Sequence, residues 1–426
     1  MSNPEGPPES NCVVAAARAL TERYSGVGRR AIISALVATC VSCGSSSEPS
    51  ATADARGNAE EQSLYALGSL VFNAEGTTSY VSLLSSLNKG NVDLSAAREF
   101  AGLADLWVFD ESIFVASNEN LSITRFEVVG GALEERGSVN FGAYGLTNLG
   151  FFLNTFISPS KAYLLNGSSE FIVWNPQTMR VTHTAPLPKF EKRGSLRPFP
   201  GYSDRAAQVR AGHLYQPIYW TDDSFFEFDA SSQIVVFDTT SDSLIEVLDA
   251  PCPGLDYSTR DGEGNLYFSN WVYAAGGAAV LGQTDTCVFR VPAGSEPPHV
   301  AFTFSELTGG HQGAAFRVLD DGRTFFSVLY ADRPELAGET DASKITSGAN
   351  WRFWSKGQGN TSASMLANID WNAGAQYSFS VDGKTYILLS TADYSATDVY
   401  AVASAKADLE LAFRAEGWST RLFRVR

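Results

Sequence analysis

The segment from residue 187 to residue 205 gathers residue types that bind anionic aromatic molecules. Its cationic and tyrosine side chains include Lys189, Arg193, Arg197, Tyr202 and Arg205. Guanidinium and ammonium groups neutralise negative charge, and aromatic faces support stacking and cation–π contacts. Such a cluster can attract an anion even on an acidic protein, because charges are screened over about 8 Å at physiological salt. The segment predicts a ligand-binding loop; a solvated loop, interrupted by Glu191, is the alternative.

Four more residues are candidates because of where they fall in a repeating pattern of strands. Trp220 and Trp271 end equivalent strands, Arg333 follows the corresponding strand of the next repeat, and His311 precedes an innermost strand. We predict that they lie on the same face as the cationic segment. Tryptophan packing between repeats and a structural hydrogen bond for His311 are the alternative interpretations.

Two cysteines fall on connections that we expect on this same face, Cys252 and Cys287. An exported protein meets an oxidising compartment, so these thiols predict a disulfide that holds residues 272–285 in place. Two free buried thiols are the alternative.

No motif in the sequence indicates catalysis or metal binding by itself. A G-x-S-x-G elbow, an H-E-x-x-H helix, a Walker loop and a pair of C-x-x-C motifs are all missing. The histidines, at 183, 213, 299 and 311, lack metal-ligand spacing. We therefore predict no catalytic residue, no bound metal and no cofactor. The run DGEGNLY from Asp261 to Tyr267 resembles turns of calcium-dependent propeller lactonases, which keeps a metal-dependent hydrolase as an alternative.

Composition and charge limit the class of protein. The chain has 426 residues, of which 44% are hydrophobic, 12% aromatic and only 18% charged, which excludes a disordered chain. The formal net charge is −16, so the surface repels nucleic acid and anionic membranes. Apolar runs stay shorter than the roughly 18 residues of a spanning helix. Abundant Gly, Val, Thr, Tyr and Phe are typical of a large all-β protein.

The N-terminal 43 residues resemble a bacterial lipoprotein signal peptide. Arg29 and Arg30 precede an apolar stretch, residues 31–41, and Cys43 follows a serine and precedes a Gly/Ser tract. The resemblance implies that Cys43 is lipidated, with Cys40 as the alternative site and an ordinary signal peptide as the alternative for the whole segment. Residues 44–61 then form a flexible tether, and residues 62–426 the folded domain. We expect an exported protein anchored by lipid in the outer membrane.

From Leu64 onward the sequence is a train of short strands separated by turn signals. The clearest repeat spans residues 105–141, where DLWVFD, IFVAS, SITRFEVV and LEERGSVNF give four strands. Four-stranded repeats of this length are the blades of a β-propeller. Six complete repeats, three strands before them and a leftover TRLFRVR predict seven blades, closed by pairing of the C-terminal strand with the first blade. Six or eight blades, or two β-sandwiches, are the alternatives.

Connections in such a ring alternate between two faces. First-to-second and third-to-fourth turns lie on one face, which we call the plain face because its turns are short. We assign Asn73–Gly76, Asp261–Gly264, Asp320–Gly322 and Asp382-Gly383 to it. Second-to-third connections and blade-to-blade crossovers lie on the other, elaborated face, whose predicted loops are 187–204, 221–231, 272–285, 306–312 and 331–348. Long ordered loops are uncommon unless they serve a function, so we expect the binding site there.

Three consecutive segments, GTTSYVSLLSSLNKGNVDLS, ADLWVFDESIFVAS and SITRFEVVGGALEERGSV, resemble one family of lipoprotein β-propellers. The family occurs in bacterial iron-acquisition loci and includes MxcI-like proteins and surface siderophore-binding lipoproteins. The resemblance implies a non-enzymatic protein that captures a ferric siderophore, most concretely a catecholate, and hands it to a TonB-dependent outer-membrane transporter. A metal-dependent hydrolase or lactonase and a protein-interaction scaffold are the alternatives.

Overall fold

The computed structural model describes residues 63–426 as one compact unit. The positions it leaves out within this unit are 75, 89, 147–148, 150–153, 167–169, 202–205, 320–321, 340, 358–362, 367–372 and 403–408. The predicted signal peptide and tether, with Cys40 and Cys43, lie outside the described residues, as do Tyr202 and Arg205.

The described residues form seven sheets, five with four strands and two with a fifth short strand, and each blade is built on four antiparallel positions from the centre outward. Blade 1 contains β30 (Trp418–Arg424), β1 (Tyr65–Asn73), β2 (Gly76–Leu84) and β4 (Arg98–Ala101). Blade 2 contains β5 (Ala104–Phe109), β6 (Ser112–Ser117), β7 (Ser122–Val129) and β8 (Ala132–Asn140). Blade 3 contains β9 (Asn154–Ser158), β10 (Lys161–Asn166), β11 (Glu170–Asn175) and β12 (Arg180–Pro186). The predicted seven-bladed propeller is confirmed.

Blade 4 has a divided innermost strand, β13 (Arg197–Pro200) and β14 (Gln208–Arg210), followed by β15 (His213–Thr221), β16 (Phe228–Asp238) and β17 (Ser243–Ala250). Blade 5 contains β18 (Leu255–Arg260), β19 (Leu266–Asn270), β20 (Cys287–Val291) and β21 (His299–Thr303). Blade 6 contains β22 (Gln312–Val318), β23 (Thr324–Leu329), β24 (Trp351–Lys356) and the short β25 (Ser364–Met365). Blade 7 contains β26 (Ala373–Val381), β27 (Lys384–Thr391), β28 (Ala396–Val402) and β29 (Leu409–Glu416).

The ring is closed between its two ends, as predicted. β30 pairs with β1 from Tyr65↔Arg424 to Leu70↔Trp418 and thereby supplies the innermost strand of blade 1. A second, smaller link is β3 (Asn91–Val92), which leaves blade 1 and pairs in parallel with β29 of blade 7. The ends of the described chain therefore stabilise each other, and both lie on the plain face.

One turn was assigned to the wrong face. Because β30 takes the innermost place, β1 and β2 are the second and third strands of blade 1, and their turn at Asn73–Gly76 belongs to the elaborated face. The turns at Asp261–Gly264 and Asp382-Gly383 do lie on the plain face. Their aspartates do more than shape hairpins: Asp382 accepts a hydrogen bond from Tyr65 Oη of the neighbouring blade at 2.6 Å. Burial and a hydrogen bond to Asp261 raise the pKa of Tyr267 to about 12.

The hydrophobic core is divided into clusters that lie between neighbouring blades. A blade is covered on both sides, so its strands bury apolar residues of both alternating sets. Strand β11, for example, buries Phe171 and Val173 towards blade 4 and Ile172 and Trp174 towards blade 2. This burial on both sides explains why the strands could be predicted from the sequence.

Long connections on the elaborated face occur mainly in blades 3 to 6, and several have secondary structure that the sequence did not reveal. The predicted loop 272–285 is mostly helix α1 (Val272–Leu281). Helix α2 (Phe304–Thr308) lies in the next crossover, and helix α3 (Ala342–Ile345) in the predicted loop 331–348. Arg197, predicted in a loop, begins strand β13. Within the described residues, every helix is too short or too polar to cross a membrane.

Candidate functional site

Arg193 and Trp220 contact each other, and Arg193 is only partly exposed. The guanidinium carbon of Arg193 lies 3.4 Å from the centre of the Trp220 ring, and Nη1 donates to Asp229 Oδ1 at 2.6 Å and to Ser231 Oγ at 2.8 Å. Trp220 is 2% exposed, and its Nε1 donates to the carbonyl oxygen of Glu191 at 2.7 Å. This pair holds the crossover from blade 3 to blade 4 against the propeller. The packing interpretation therefore applies to Trp220, and Arg193 is a structural residue.

The remaining described residues of the cationic segment are spread along the surface. Lys189 is 83% exposed and pairs with Glu191 at 2.6 Å, which leaves it a solvated side chain. Arg197 pairs with Asp223 at 2.8 Å, and its guanidinium carbon lies 5.9 Å from the ring centre of Phe225. Each of these cations faces a carboxylate of the same surface, so the segment does not form the concentrated basic pocket that its composition predicts.

Trp271 belongs to an aromatic cluster beneath the loops of blades 4 and 5. It is 8% exposed, and its ring centre lies 4.6 Å from that of Tyr273 and 5.4 Å from that of Phe225. The residue precedes helix α1, so its packing fixes where that helix begins. Trp271 therefore stabilises the elaborated face and is not available as an open stacking platform.

Helix α1 packs closely against the neighbouring loops because it carries two glycines. A Cβ at Gly276 would lie 2.8 Å from Cγ2 of Thr346, and one at Gly277 would collide with the carbonyl oxygen of Phe226. Ala275 of α1, Phe226 of blade 4 and Ile345 of α3 share one buried cluster. The connections of blades 4, 5 and 6 thus form a continuous layer, which we call the loop layer.

Beside the loop layer, blade 6 brings together aromatic and cationic side chains on the elaborated face, and these side chains remain partly exposed. His311 precedes innermost strand β22, and Tyr330 follows the paired strand β23. Their rings are 4.3 Å apart between centres and inclined by 31°. The two rings form a small aromatic surface at the central end of this blade.

Two guanidinium groups extend that surface outward. Nη1 of Arg333 and Nη1 of Arg352 each donate to the carbonyl oxygen of Ala349 at 3.0 Å, so the two nitrogens are at most about 6 Å apart. Arg333 also donates to Oδ1 of the buried Asn350 at 2.9 Å. The guanidinium carbon of Arg352 lies 5.7 Å from the ring centre of Tyr330. These four residues, His311, Tyr330, Arg333 and Arg352, are called the blade 6 cluster below.

The electrostatics of the blade 6 cluster favour an anion. Burial and the adjacent charge of Arg333 lower the pKa of Arg352 from its usual value, although a guanidinium stays cationic at neutral pH. Two like charges held this close repel each other, and a bound anion would relieve that repulsion. Tyr330 and His311 add flat faces for stacking. The arrangement can bind a molecule that is both negatively charged and aromatic.

The structure thus separates the predicted site residues into three groups. His311 and Arg333 come together in the blade 6 cluster, whereas Arg193, Trp220 and Trp271 serve the packing of the loops. Lys189 and Arg197 lie apart on the surface. Sequence reasoning missed Arg352 because the residue lies inside the strand pattern NWRFWS. The one signal for it is its place as the second residue of a strand that follows a long connection.

The predicted disulfide between Cys252 and Cys287 is present, with 5.7 Å between the two Cα atoms. It joins the crossover into blade 5 to the residue that follows the long connection containing α1. Both cysteines are buried. In the described part of the chain, no group of three or more His, Cys, Asp or Glu residues is arranged to hold a metal ion.

Comparisons with known proteins show the fold. No protein-family model matches the sequence, and no protein with a curated description matches it. A solved structure of a proposed 6-phosphogluconolactonase from Bacteroides fragilis covers 87% of this chain and 100% of its own, with 11% identity and a TM-score of 0.54. A protein from Lactobacillus plantarum covers 86% and 100%, with 9% identity and a TM-score of 0.54. The chain is a β-propeller. At these identities the similarity carries the architecture alone.

Proposed function

We propose that this protein is a non-enzymatic binding protein whose blade 6 cluster holds an anionic aromatic ligand, most concretely a ferric catecholate siderophore. The observation that carries the proposal is the convergence of Arg333 and Arg352 on one carbonyl oxygen beside the Tyr330–His311 pair. A ferric tris-catecholate is trianionic and presents flat catechol rings. It brings its own iron ligands, so it needs cations and aromatic faces from the protein and no metal-ligating cluster.

Charge and geometry support this ligand class. Hydrogen bonds from guanidinium groups to anionic oxygens are short and strong, and arginine offers several donors in one plane. The position of Arg333 is fixed by Asn350, whose Nδ2 donates to the carbonyl oxygens of Lys344 and Ile345 at 2.9 and 3.0 Å. The cluster is therefore ordered before any ligand arrives, which reduces the entropy lost on binding.

The path of the chain supports a lipid-anchored arrangement. The described chain enters the propeller at Leu64 on the plain face, where its backbone nitrogen donates to the carbonyl oxygen of Arg426. This entry point lies on the face opposite the blade 6 cluster. We propose that Cys43 carries the lipid and that the protein presents its ligand to an outer-membrane transporter.

A tryptophan-fluorescence titration with a ferric catecholate siderophore tests the proposal, because buried Trp351 adjoins Arg352. We expect saturable quenching by the ferric catecholate and little by its iron-free form or by a ferric hydroxamate. Arg333→Gln and Arg352→Gln should each weaken binding about tenfold, since each loses charge-assisted hydrogen bonds. The loss should be larger at low salt than at high salt.

Lys189→Gln is the matched control, because it removes one positive charge from the same face at an 83% exposed position. The affinity of this variant for the ferric catecholate should stay within about twofold of that of the unaltered protein. Equal weakening by all three substitutions would indicate general attraction by the surface and remove the blade 6 cluster from the site. Absence of quenching by any of the siderophores would refute the siderophore proposal.

A further inference from the structure

A cavity of about 280 Å³ opens on the plain face, on the opposite side of the ring from the blade 6 cluster. It lies between blades 2 and 3, beside the last residues of the described chain. Its volume is near the lower end of the range for small-molecule sites. The sequence predicts only short hairpin turns in this region.

Part of the cavity lining is apolar and aromatic. Phe109 and Phe114 line it together with Pro159 and Pro176. The Phe109 ring is stacked on Phe156 of blade 3, with 4.8 Å between ring centres and 6° between planes, which fixes its orientation. This surface suits the hydrocarbon part of a ligand.

Two of the charged residues in the wall neutralise each other. Arg125 donates from Nη2 to Glu127 at 2.6 Å, from Nη1 to the carbonyl oxygen of Gln177 at 3.1 Å, and from Nε to Ser112 Oγ at 3.2 Å. The other carboxylate oxygen of Glu127 accepts from Arg136 at 2.8 Å. The hydrogen bond from Arg136, and to a smaller extent that from Arg125, lowers the pKa of Glu127. The pair therefore shapes the wall without offering a free charge.

The rim of the cavity carries two carboxylates, Asp110 and Glu111, from the turn between β5 and β6. Neither side chain has a hydrogen bond or an ion pair within the described residues. Apart from these two carboxylates and the Arg125–Glu127 pair, the charged residue that lines the cavity is Arg426. The charge available to a ligand is thus negative. Carboxylates beside the aromatic residues of the lining complement a molecule with a cationic head and a hydrocarbon body.

The backbone conformation of this turn favours glycine at the position of Glu111. Asp110 and Glu111 have φ values of 48° and 58°, the left-handed region that disfavours residues with a side chain. The corresponding two-residue turns Ala211-Gly212 and Asp382-Gly383, and the turn Gly130-Gly131, have glycine at the second position. At the cavity Glu111 takes the place of that glycine, so a carboxylate occupies a position where glycine would be the more stable choice.

We propose that the plain-face cavity binds a small organic cation, a primary amine with an aromatic body, whose ammonium group lies between Asp110 and Glu111 and whose ring lies on Phe109. The ligand differs in charge from that of the blade 6 cluster and binds to the other face. The two binding proposals can therefore be tested independently of each other.

Isothermal titration calorimetry of the full chain with phenethylammonium tests this inference, with 3-phenylpropanoate as the anion of matching shape. We expect saturable binding of the cation with a Kd of about 1 mM and none of the anion. Glu111→Gly should weaken cation binding about fivefold and at the same time raise the midpoint of thermal unfolding, because it removes a charge and relieves the turn. Loss of affinity without loss of stability separates a binding role from a structural one.

Glu246→Gln is the matched control, since it removes one carboxylate from the outermost strand of blade 4 and should leave the affinity unchanged. Equal affinity of the Glu111→Gly variant and the unaltered protein would overturn the inference, as would equal binding of cation and anion or no saturable binding of the cation. Quenching by the ferric catecholate should be the same in the Glu111→Gly variant, which keeps this test distinct from that of the blade 6 cluster.

Discussion

Arg193 lies in the segment richest in cationic residues, yet its guanidinium is used inside the protein. It covers the Trp220 ring and pairs with Asp229, which is 24% exposed. Lys189, four residues earlier, makes an ion pair in nearly full solvent. Composition alone cannot distinguish these two roles, because the difference arises from which ring or carboxylate of the next blade lies below each side chain. The same reasoning explains why Arg352, inside a strand pattern, escaped notice.

Substitution of these two residues should have very different effects on stability. Arg193→Ala should lower the free energy of unfolding by about 1–2 kcal/mol, through loss of the cation–π contact and the ion pair. Lys189→Ala should change it by less than about 0.5 kcal/mol. Equilibrium unfolding in denaturant measures both. A smaller effect of Arg193→Ala than of Lys189→Ala would contradict the structural role assigned to Arg193.

At the scale of the elements, the strands were predictable and the loop layer was not. Alternating apolar residues and Asp/Gly turns mark the strands locally, since each strand is covered on both sides by its neighbouring blades. Helix α1, VYAAGGAAVL, contains two glycines and has no polar stripe, so its sequence lacks the signals of an isolated helix. Its helical form depends on close contact with Phe226 and Thr346, which come from other blades.

The close packing of α1 gives a prediction for Gly277. Gly277→Ala places a Cβ against the backbone of Phe226, so the free energy of unfolding should fall by about 1–3 kcal/mol even though alanine favours helix formation. Gly294→Ala, at a position with open space, is the control and should be nearly neutral. Thermal unfolding of both variants decides the matter. If Gly277→Ala raised the midpoint, the loop layer would be looser than the structure shows.

At the scale of the whole molecule, closure of the ring brings together a buried ion pair. Arg421 of β30 donates to Asp105 of β5 at 2.7 Å, and the two side chains are 6% and 4% exposed. The pairing of β30 with β1 could be predicted from the count of strands, because three strands at the start left one place empty. The ion pair could not, since it depends on the register of β30 between blades 1 and 2.

Removal of one partner of this pair should be far more harmful than removal of both. Asp105→Ala leaves the charge of Arg421 buried and should lower the free energy of unfolding by about 3–5 kcal/mol. The double variant Asp105→Leu with Arg421→Met replaces both charges by apolar groups and should recover most of that loss. Additive losses in the double variant, measured by denaturant unfolding, would show that the pair does not act as a unit.

The link between β30 and β1 also determines the order of events during biosynthesis. Strand β1 leaves the ribosome before blades 2 to 7, but its partner Trp418–Arg424 follows them, so one edge of β1 stays unpaired while those blades are made. An unpaired strand edge is a template for association with other chains. The nascent protein therefore has a long interval in which blade 1 can form contacts with the wrong strand. A chaperone that covers Tyr65–Asn73 would have its largest effect during that interval and none once Arg424 is in place.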